Sequence, residues 1–165
     1  MNFDTFLSDV LSGIVSGTFL TLIFFFVKEK IFSYPEIDGK WYFEIETVNT
    51  AYIPYQGMKL YYVAFISYEG DKITGSIEKI YELSSARTQE LIGTERIRGI
   101  VKGCFEKFYF SKDKMRLHII ENGKIRESSH YFDLSAVTSH EMTGKFFSTI
   151  ADQSGNVKWQ RDSFQ

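Results

Sequence analysis

Two hydrophobic patterns divide this chain. From Val10 to Val27, 18 consecutive residues carry no charge, with Asp9 at one end and Lys28-Glu29-Lys30 at the other. From Gly39 onward, apolar residues alternate with polar ones in short runs separated by turn signals. The first pattern predicts one helix and the second a series of half-buried strands.

The uncharged run is close to the roughly 20 residues that cross a bilayer core, with Phe6, Leu7, Ile31 and Phe32 as interfacial flanks. A cleaved signal peptide would carry a basic leader and a small-residue cleavage site. Residues 1–9 instead contain Asp4 and Asp9 and no Lys or Arg, and bulky residues follow the run. A soluble core helix would show a polar stripe. The only polar groups inside the run are Ser12, Ser16, Thr18 and Thr21, which a helix satisfies internally. The expectation is one uncleaved transmembrane helix. Lys28 and Lys30 follow it and an acidic segment precedes it, so the positive-inside rule places the remainder in the cytoplasm. Gly13 and Gly17 form a GxxxG, extended by Thr21, with Ser12 and Ser16 in a parallel row. Such rows let helix backbones approach in lipid, although Gly and Ser are also common in these helices without that role.

Downstream, GKWYFEIETV, MKLYYVAFISYE, KITGSIEKIYEL, TERIRGIVKG, CFEKFYFS, MRLHIIE, KIRESSHYFDL, EMTGKFFSTI and VKWQR read as successive strands. Turns are expected at Gly70-Asp71, at Asn122-Gly123 and near Ser154-Gly155. No helix-length segment intervenes. The predicted fold is all-β: a small antiparallel up-and-down β-barrel of about eight strands, closed so that no sheet edge is left open, preceded by one N-terminal transmembrane α-helix. Residues 1–32 form the helix with its flanks, 33–38 a linker and 39–165 the barrel domain. A two-residue turn at Gly70-Asp71 sets Ile66 opposite Gly75, Ala64 opposite Ile77 and Tyr62 opposite Lys79. The same counting sets Ile150 opposite Trp159 and Ser148 opposite Arg161, and sets His118 opposite Glu127.

Composition narrows the function classes. The net charge of −2 excludes a polycation that coats DNA or RNA. Setting aside residues 1–30, which hold two lysines, two aspartates and one glutamate, leaves 17 basic and 18 acidic side chains. The 16 Phe and 10 Tyr suit strands. Cys104 is alone, which excludes an intramolecular disulfide, fits a reducing compartment and reads as a small core residue. His118, His130 and His140 match no metal or catalytic spacing, and no P-loop, GxSxG or GxGxxG occurs. Neither catalysis nor a metal or cofactor is expected. His118 facing Glu127 is one conceivable dyad, but such pairs are ordinary ladder contacts.

Binding signals are stronger. In the loop after the first strand, Tyr52 and Tyr55 are placed to stack on a base, and Asn49 and Thr50 to bond its edge. A packed barrel lid explains the same loop. Arg96, Arg98 and Lys102 in one row suit phosphates, or form a solvated outer face. Arg126, Ser128 and His130 form a similar row. Gly39-Lys-Trp41 and the late Arg161 resemble the pairing that closes small ligand-carrying barrels of the calycin type, where a basic group stacks on a basal tryptophan. Trp41 and Arg161 are read as structural first and ligand-binding second.

The order of helix, linker and strand-rich domain, with GKWYFEIETVNTAYIPYQGMKLYY, GTERIRGIVKG and ENGKIRESSHYFDL, resembles the transmembrane β-barrel effectors of bacterial anti-phage systems of the CBASS kind, a SMODS-associated family. The resemblance implies a cytoplasmic barrel at the bacterial inner membrane that binds a cyclic di- or oligonucleotide made by a partner nucleotidyltransferase. Self-association of the membrane helices would then damage the bilayer and stop phage replication. Better-known members carry two N-terminal helices, whereas one is readable here. The alternative expectation is a membrane-anchored lipocalin-like carrier or scaffold for an apolar ligand or a protein.

Overall fold

The structure is a computed structural model that describes residues 3–28, 36–85, 87–108, 111–123, 126–135 and 138–164. It divides into two compact units, Met1–Tyr34 and Pro35–Gln165. The expected flanks Ile31 and Phe32, together with Lys30 and linker residues 33–35, lie outside the described residues.

The first unit contains α1, Phe3–Phe26. Its 24 residues span about 36 Å at the helical rise. The window Phe6–Phe26 has a mean hydropathy of 1.8, and none of it is buried inside the structure. It is long and apolar enough to cross a membrane. The hydroxyls of Thr18 and Thr21 donate to the carbonyls of Ile14 and Gly17 at 2.9 and 2.8 Å. The run therefore satisfies these polar groups within its own turns, as a bilayer requires. A Cβ added to Gly13 or Gly17 would meet no neighbouring atom within 4 Å.

The second unit is all β. Its strands are β1 (Gly39–Asn49), β2 (Lys59–Glu69), β3 (Lys72–Leu83), β4 (Thr88–Glu90), β5 (Ile97–Glu106), β6 (Lys114–Asn122), β7 (Glu127–Ser135), β8 (Glu141–Ser148) and β9 (Gln153–Gln160). All pairings are antiparallel, and β1 pairs with both β2 and β9. The order β1-β2-β3-β5-β6-β7-β8-β9 thus returns to β1, giving a closed eight-stranded up-and-down barrel with β4 as an extra strand. β4 and β5 run along the same edge of β3, β4 against Tyr81–Leu83 and β5 against Lys72–Lys79, with a short excursion between them.

Alternation decides what fills the barrel. Trp41, Phe43 and Ile45 of β1 point inward, as do Tyr62, Ala64 and Ile66 of β2 and Ile73 and Ile77 of β3. At the centre, Phe43 is sandwiched between Tyr62 and Trp159, with ring centroids 4.6 and 4.4 Å away and nearly parallel planes. Phe132 meets Phe43 edge-on at 5.7 Å. Fully burying side chains of this size contributes roughly 1.5–3 kcal/mol each, and the ring contacts add about 0.5–1.5 kcal/mol per pair.

The base of the barrel, where the chain enters, is closed by the pairing read from the sequence. The guanidinium of Arg161 lies 3.9 Å from the centre of the Trp41 ring. It donates to the carbonyls of Glu36, Asp38, Lys40 and Ser139 at 2.9–3.1 Å. The Trp41 indole N–H donates to the Ile37 carbonyl at 2.7 Å.

The Gly70-Asp71 hairpin has the expected register: Ile66 faces Gly75, Ala64 faces Ile77 and Tyr62 faces Lys79. Two other hairpins differ. The last one turns over residues 149–152, so Ser148 pairs with Gln153 and Trp159 with Met142. Ala151 and Asp152 take up the left-handed backbone there, with φ of 50° and 45°. Gly155 lies inside β9 instead. Past Asn122, pairing resumes at Glu127, so His118 faces Tyr131 and not Glu127. TERIRGIVKG and CFEKFYFS merge into β5, and Cys104 is half-buried on its outer face, not in the core.

Glycines set the curvature. A Cβ at Gly75 would lie 2.2 Å from the Phe65 carbonyl oxygen, and one at Gly155 only 1.9 Å from that of Glu46. Neighbouring strands therefore approach more closely than a side chain allows. Gly75→Ala is expected to destabilise the full chain by about 1–3 kcal/mol, whereas Ser76→Ala on the outer face stays within about 0.5 kcal/mol. Denaturant unfolding in detergent, followed by tryptophan fluorescence, measures both.

Candidate functional site

The interior changes character at the end opposite Trp41, the mouth. There the inward positions are Thr47, Lys79, Glu121, Ser128, His130, Ser148 and Gln153, all buried. Inward polar groups on this scale need partners. The Lys79 ammonium lies 3.0 Å from Glu121 Oε1 and 3.8 Å from Glu82 Oε2. The Tyr62 hydroxyl donates to Glu121 Oε2 at 2.7 Å. Thr47 donates to Gln153 Oε1 at 3.4 Å.

A local irregularity builds this cluster. The β2–β3 ladder shifts register between Tyr61 and Tyr62, whose partners are Tyr81 and Lys79. Residues three apart on a regular strand point to opposite faces. The extra residue, Ile80, cancels one alternation, so Lys79 and Glu82 both face the mouth.

His130 completes the arrangement. It is 5% exposed, and neither ring nitrogen has a hydrogen-bond partner among the described residues. Its Nε2 stands 3.9 Å from Glu121 Oε2, beyond hydrogen-bond reach. Burial pushes the imidazole below its ordinary value; Glu121 opposes that shift, while Lys79 and His118 reinforce it. Burial also raises the Tyr62 phenol well above its ordinary range, and the adjacent Glu121 carboxylate adds to the effect, so Tyr62 stays protonated as a donor. Lys79, Glu82, Glu121, His130, Tyr55 and Gln153 are among the residues that line a cavity of about 120 Å³.

The residues singled out from the sequence fall into separate places. Thr50 accepts a hydrogen bond from the Tyr52 N–H at 3.1 Å and donates to the Ala151 carbonyl at 3.1 Å, so it fixes the β1–β2 loop. Asn49 ends β1 beside Ser154 at a register shift. Tyr52 is 53% exposed and meets the Tyr55 ring edge-on at 4.9 Å. Tyr55 packs on the core and reaches the mouth cavity. Arg96 and Arg98 stand at the same end but on the outside, and both bond Glu78, at 3.1 and 3.0 Å. They line an open depression of about 560 Å³ with Glu78, Gly93, Thr94 and Asn122. Arg96 precedes β5, so it does not share one strand face with Arg98 and Lys102. Of the expected row Arg126, Ser128 and His130, the last two point inward and are buried, and Arg126 precedes β7.

The Lys79–Glu121–Tyr62 cluster went unread in the sequence, although Tyr62 opposite Lys79 was legible. Its signal is the appearance of Lys79, Glu121 and His130 at inward positions of otherwise apolar alternation. Among the described residues no group of three or more His, Cys, Asp or Glu side chains is placed to hold a metal.

Removing one partner of a buried ion pair costs about 3–5 kcal/mol, whereas replacing both with apolar groups is often neutral. Lys79→Met is therefore expected to destabilise strongly, and Lys79→Met/Glu121→Leu less than Lys79→Met alone, by denaturant unfolding. The lowered His130 fixes a pH dependence. The unfolded histidine takes up a proton near its usual 6.5, while the folded one resists until lower pH. The stability it contributes is full above that value and falls as pH drops below it. Melting curves from pH 7.5 to 5 should show this loss, reduced in His130→Phe.

Comparison of the chain with protein-family models, with curated proteins and with solved structures finds no match in any of the three.

Proposed function

We propose that this protein is a membrane-anchored sensor and effector of the anti-phage kind that its sequence resembles. Its barrel binds an anionic cyclic di- or oligonucleotide in the cytoplasm, at the bacterial inner membrane, and controls association of the membrane helices. One observation carries the reading: among the described residues the buried side chains of Lys79, Glu121 and His130 gather at one end of the interior, and that end also carries the Tyr52–Tyr55 loop and the Arg96–Arg98 depression. A buried Lys–Glu pair adds little net stability because its desolvation is costly, which favours a binding use of that end.

The parts divide the work. Arg96 and Arg98 face phosphates, exchanging their shared carboxylate Glu78 for the ligand. Tyr52 and Tyr55 offer rings to bases, while Asn49 and Thr50 shape the loop that carries them. The nucleotide is the product of a partner nucleotidyltransferase. Ligand occupancy alters how barrels meet, and the Gly13 and Gly17 face then packs helix on helix, which perturbs the bilayer. Anchoring confines the copies to two dimensions and raises their effective concentration. No catalytic step and no cofactor enter this reading. The alternative of an apolar carrier finds less support, because the Tyr62–Phe43–Trp159 stack occupies the interior where such a ligand would lie.

Calorimetry of the full chain in nanodiscs with a panel of cyclic dinucleotides tests the sensor. Binding by at least one is expected, weakened roughly tenfold or more in Arg96→Ala/Arg98→Ala. No binding by any cyclic nucleotide overturns it. For the output, Gly13→Leu/Gly17→Leu is expected to abolish toxicity on overexpression in bacteria; undiminished toxicity removes the helix-packing step.

A further inference from the structure

The mouth cavity lies behind the barrel wall from the arginine depression. Glu78 and Lys79 are consecutive on β3, and so are Glu121 and Asn122 on β6; the first and last of these four line the depression and the middle two the cavity. The two spaces differ in size and charge. About 120 Å³ equals the volume of roughly four waters. It falls well below the roughly 300–1,000 Å³ of sites that enclose a whole drug-sized ligand. A cyclic dinucleotide does not fit such a space, whose volume is on the scale of one flat heterocycle.

The charge lining the cavity selects further. The Lys79 ammonium is already matched by Glu121 at 3.0 Å, and Glu82 at 3.8 Å adds a second carboxylate. Both Glu121 oxygens are engaged, one by Lys79 and one by the Tyr62 hydroxyl. With His130 neutral, Lys79, Glu82 and Glu121 together carry formal charge −1. A phosphate is repelled from such a space, and a neutral group rich in N–H donors is attracted. His130 calls for the same chemistry. It is more than nine-tenths buried and unpartnered, and as a neutral imidazole it offers one N–H donor and one lone-pair acceptor. Leu60, Met58 and Ile150 give apolar walls for ring faces, and Tyr55 stands at the edge of the same space.

We propose that the barrel mouth is a recognition pocket for a single amino-bearing nucleobase, bonded by His130 and Glu82 beside Tyr55, with the phosphates held outside. The inference rests on the sensor reading above and names the part of the nucleotide that this cavity takes. Guanine, adenine and cytosine each present an exocyclic amine to Glu82, whereas uracil has no exocyclic amine: its one N3–H is flanked by two carbonyl oxygens that are disfavoured beside the carboxylates.

The test uses the full chain in nanodiscs with guanosine, adenosine, cytidine, uridine and inorganic phosphate as probes, read by calorimetry and by NMR of the histidine ring signals, with His130 assigned from His130→Phe. At least one amino-bearing nucleoside is expected to bind and shift the His130 signals. Uridine should bind roughly tenfold or more weakly, and phosphate should leave those signals unmoved. Glu82→Gln and His130→Phe should each weaken the preferred nucleoside by about ten- to a hundredfold. Glu82 stands at the rim with a side chain 28% exposed, so Glu82→Gln keeps the fold should His130→Phe lose it. Equal binding of uridine, or a His130 response to phosphate alone, overturns the proposal. If cyclic dinucleotides bind with an affinity that neither variant changes, this pocket falls while the sensor reading stands. If neither dinucleotides nor nucleosides bind, both fall.

Discussion

Closure of the sheet by the β1–β9 ladder is the constraint on which the rest of this domain depends. It removes the two edges that an eight-stranded meander would otherwise expose. It also divides every strand into an inward and an outward set. Closing so few strands requires tight coiling, and inward glycines permit it: Gly75, Gly99, Gly103, Gly144 and Gly155 sit where a Cβ would come within 2.4 Å of a carbonyl oxygen on the neighbouring strand. The interior is filled by rings packed on one another, Phe43, Tyr62, Phe132 and Trp159. Curvature and core volume are thus two consequences of one choice of side-chain size.

The same closure explains why charge survives inside. On an open sheet, Lys79 and Glu121 would keep water at one face. In the barrel they face each other from strands separated by β5, and solvation is replaced by the ion pair at 3.0 Å and by the Tyr62 hydroxyl. Burial of this kind contributes little net stability. What it supplies is position, because both Glu121 oxygens are held and the carboxylate cannot swing. His130, in contrast, is packed but unbonded. The mouth is therefore partly fixed and partly unsatisfied, a combination that the apolar centre and the bonded base do not share.

Much of the fold was legible in alternation and turn chemistry. The apolar run gave α1, and Gly70-Asp71 gave the β2–β3 register to the residue. The other hairpins show the limit of such counting. At Asn122-Gly123 the partner of His118 moves from Glu127 to Tyr131, a shift of four. At the last hairpin the shift is eight, because Ser154-Gly155 marked a bend inside β9 and not its turn. Both shifts are even, so the inward and outward assignments survive while the cross-strand partners change. That is why the core was readable and the mouth was not. Lys79 meets Glu121 only through two correct registers, β3–β5 and β5–β6, and it shares a face with Glu82 only because of the bulge at Ile80. A bulge of this sort leaves no mark in polarity. Of the residues that the sequence singles out for binding, Tyr55, Ser128 and His130 line the mouth cavity.

Closure also limits how a ligand can act. Every strand of the barrel except the short β4 is hydrogen-bonded on both sides, so the domain cannot hinge open between strands without breaking a ladder. The Phe43 stack resists compression of the interior. Among the described segments outside the ladders are the Thr50–Gly57 loop, whose Tyr55 borders the mouth cavity, and the excursion before β5 that carries Arg96. Both lie at the mouth, while Arg161 bonds the base to four carbonyls. On the proposed sensor reading, the nucleotide's effect is a change of surface at the mouth and not a change of shape through the barrel. On the same reading the signal would pass between copies that meet at that surface and reach the helices by holding neighbouring chains together. A rigid barrel suits such a device, because a surface that binds a neighbour loses less entropy when the wall behind it does not move.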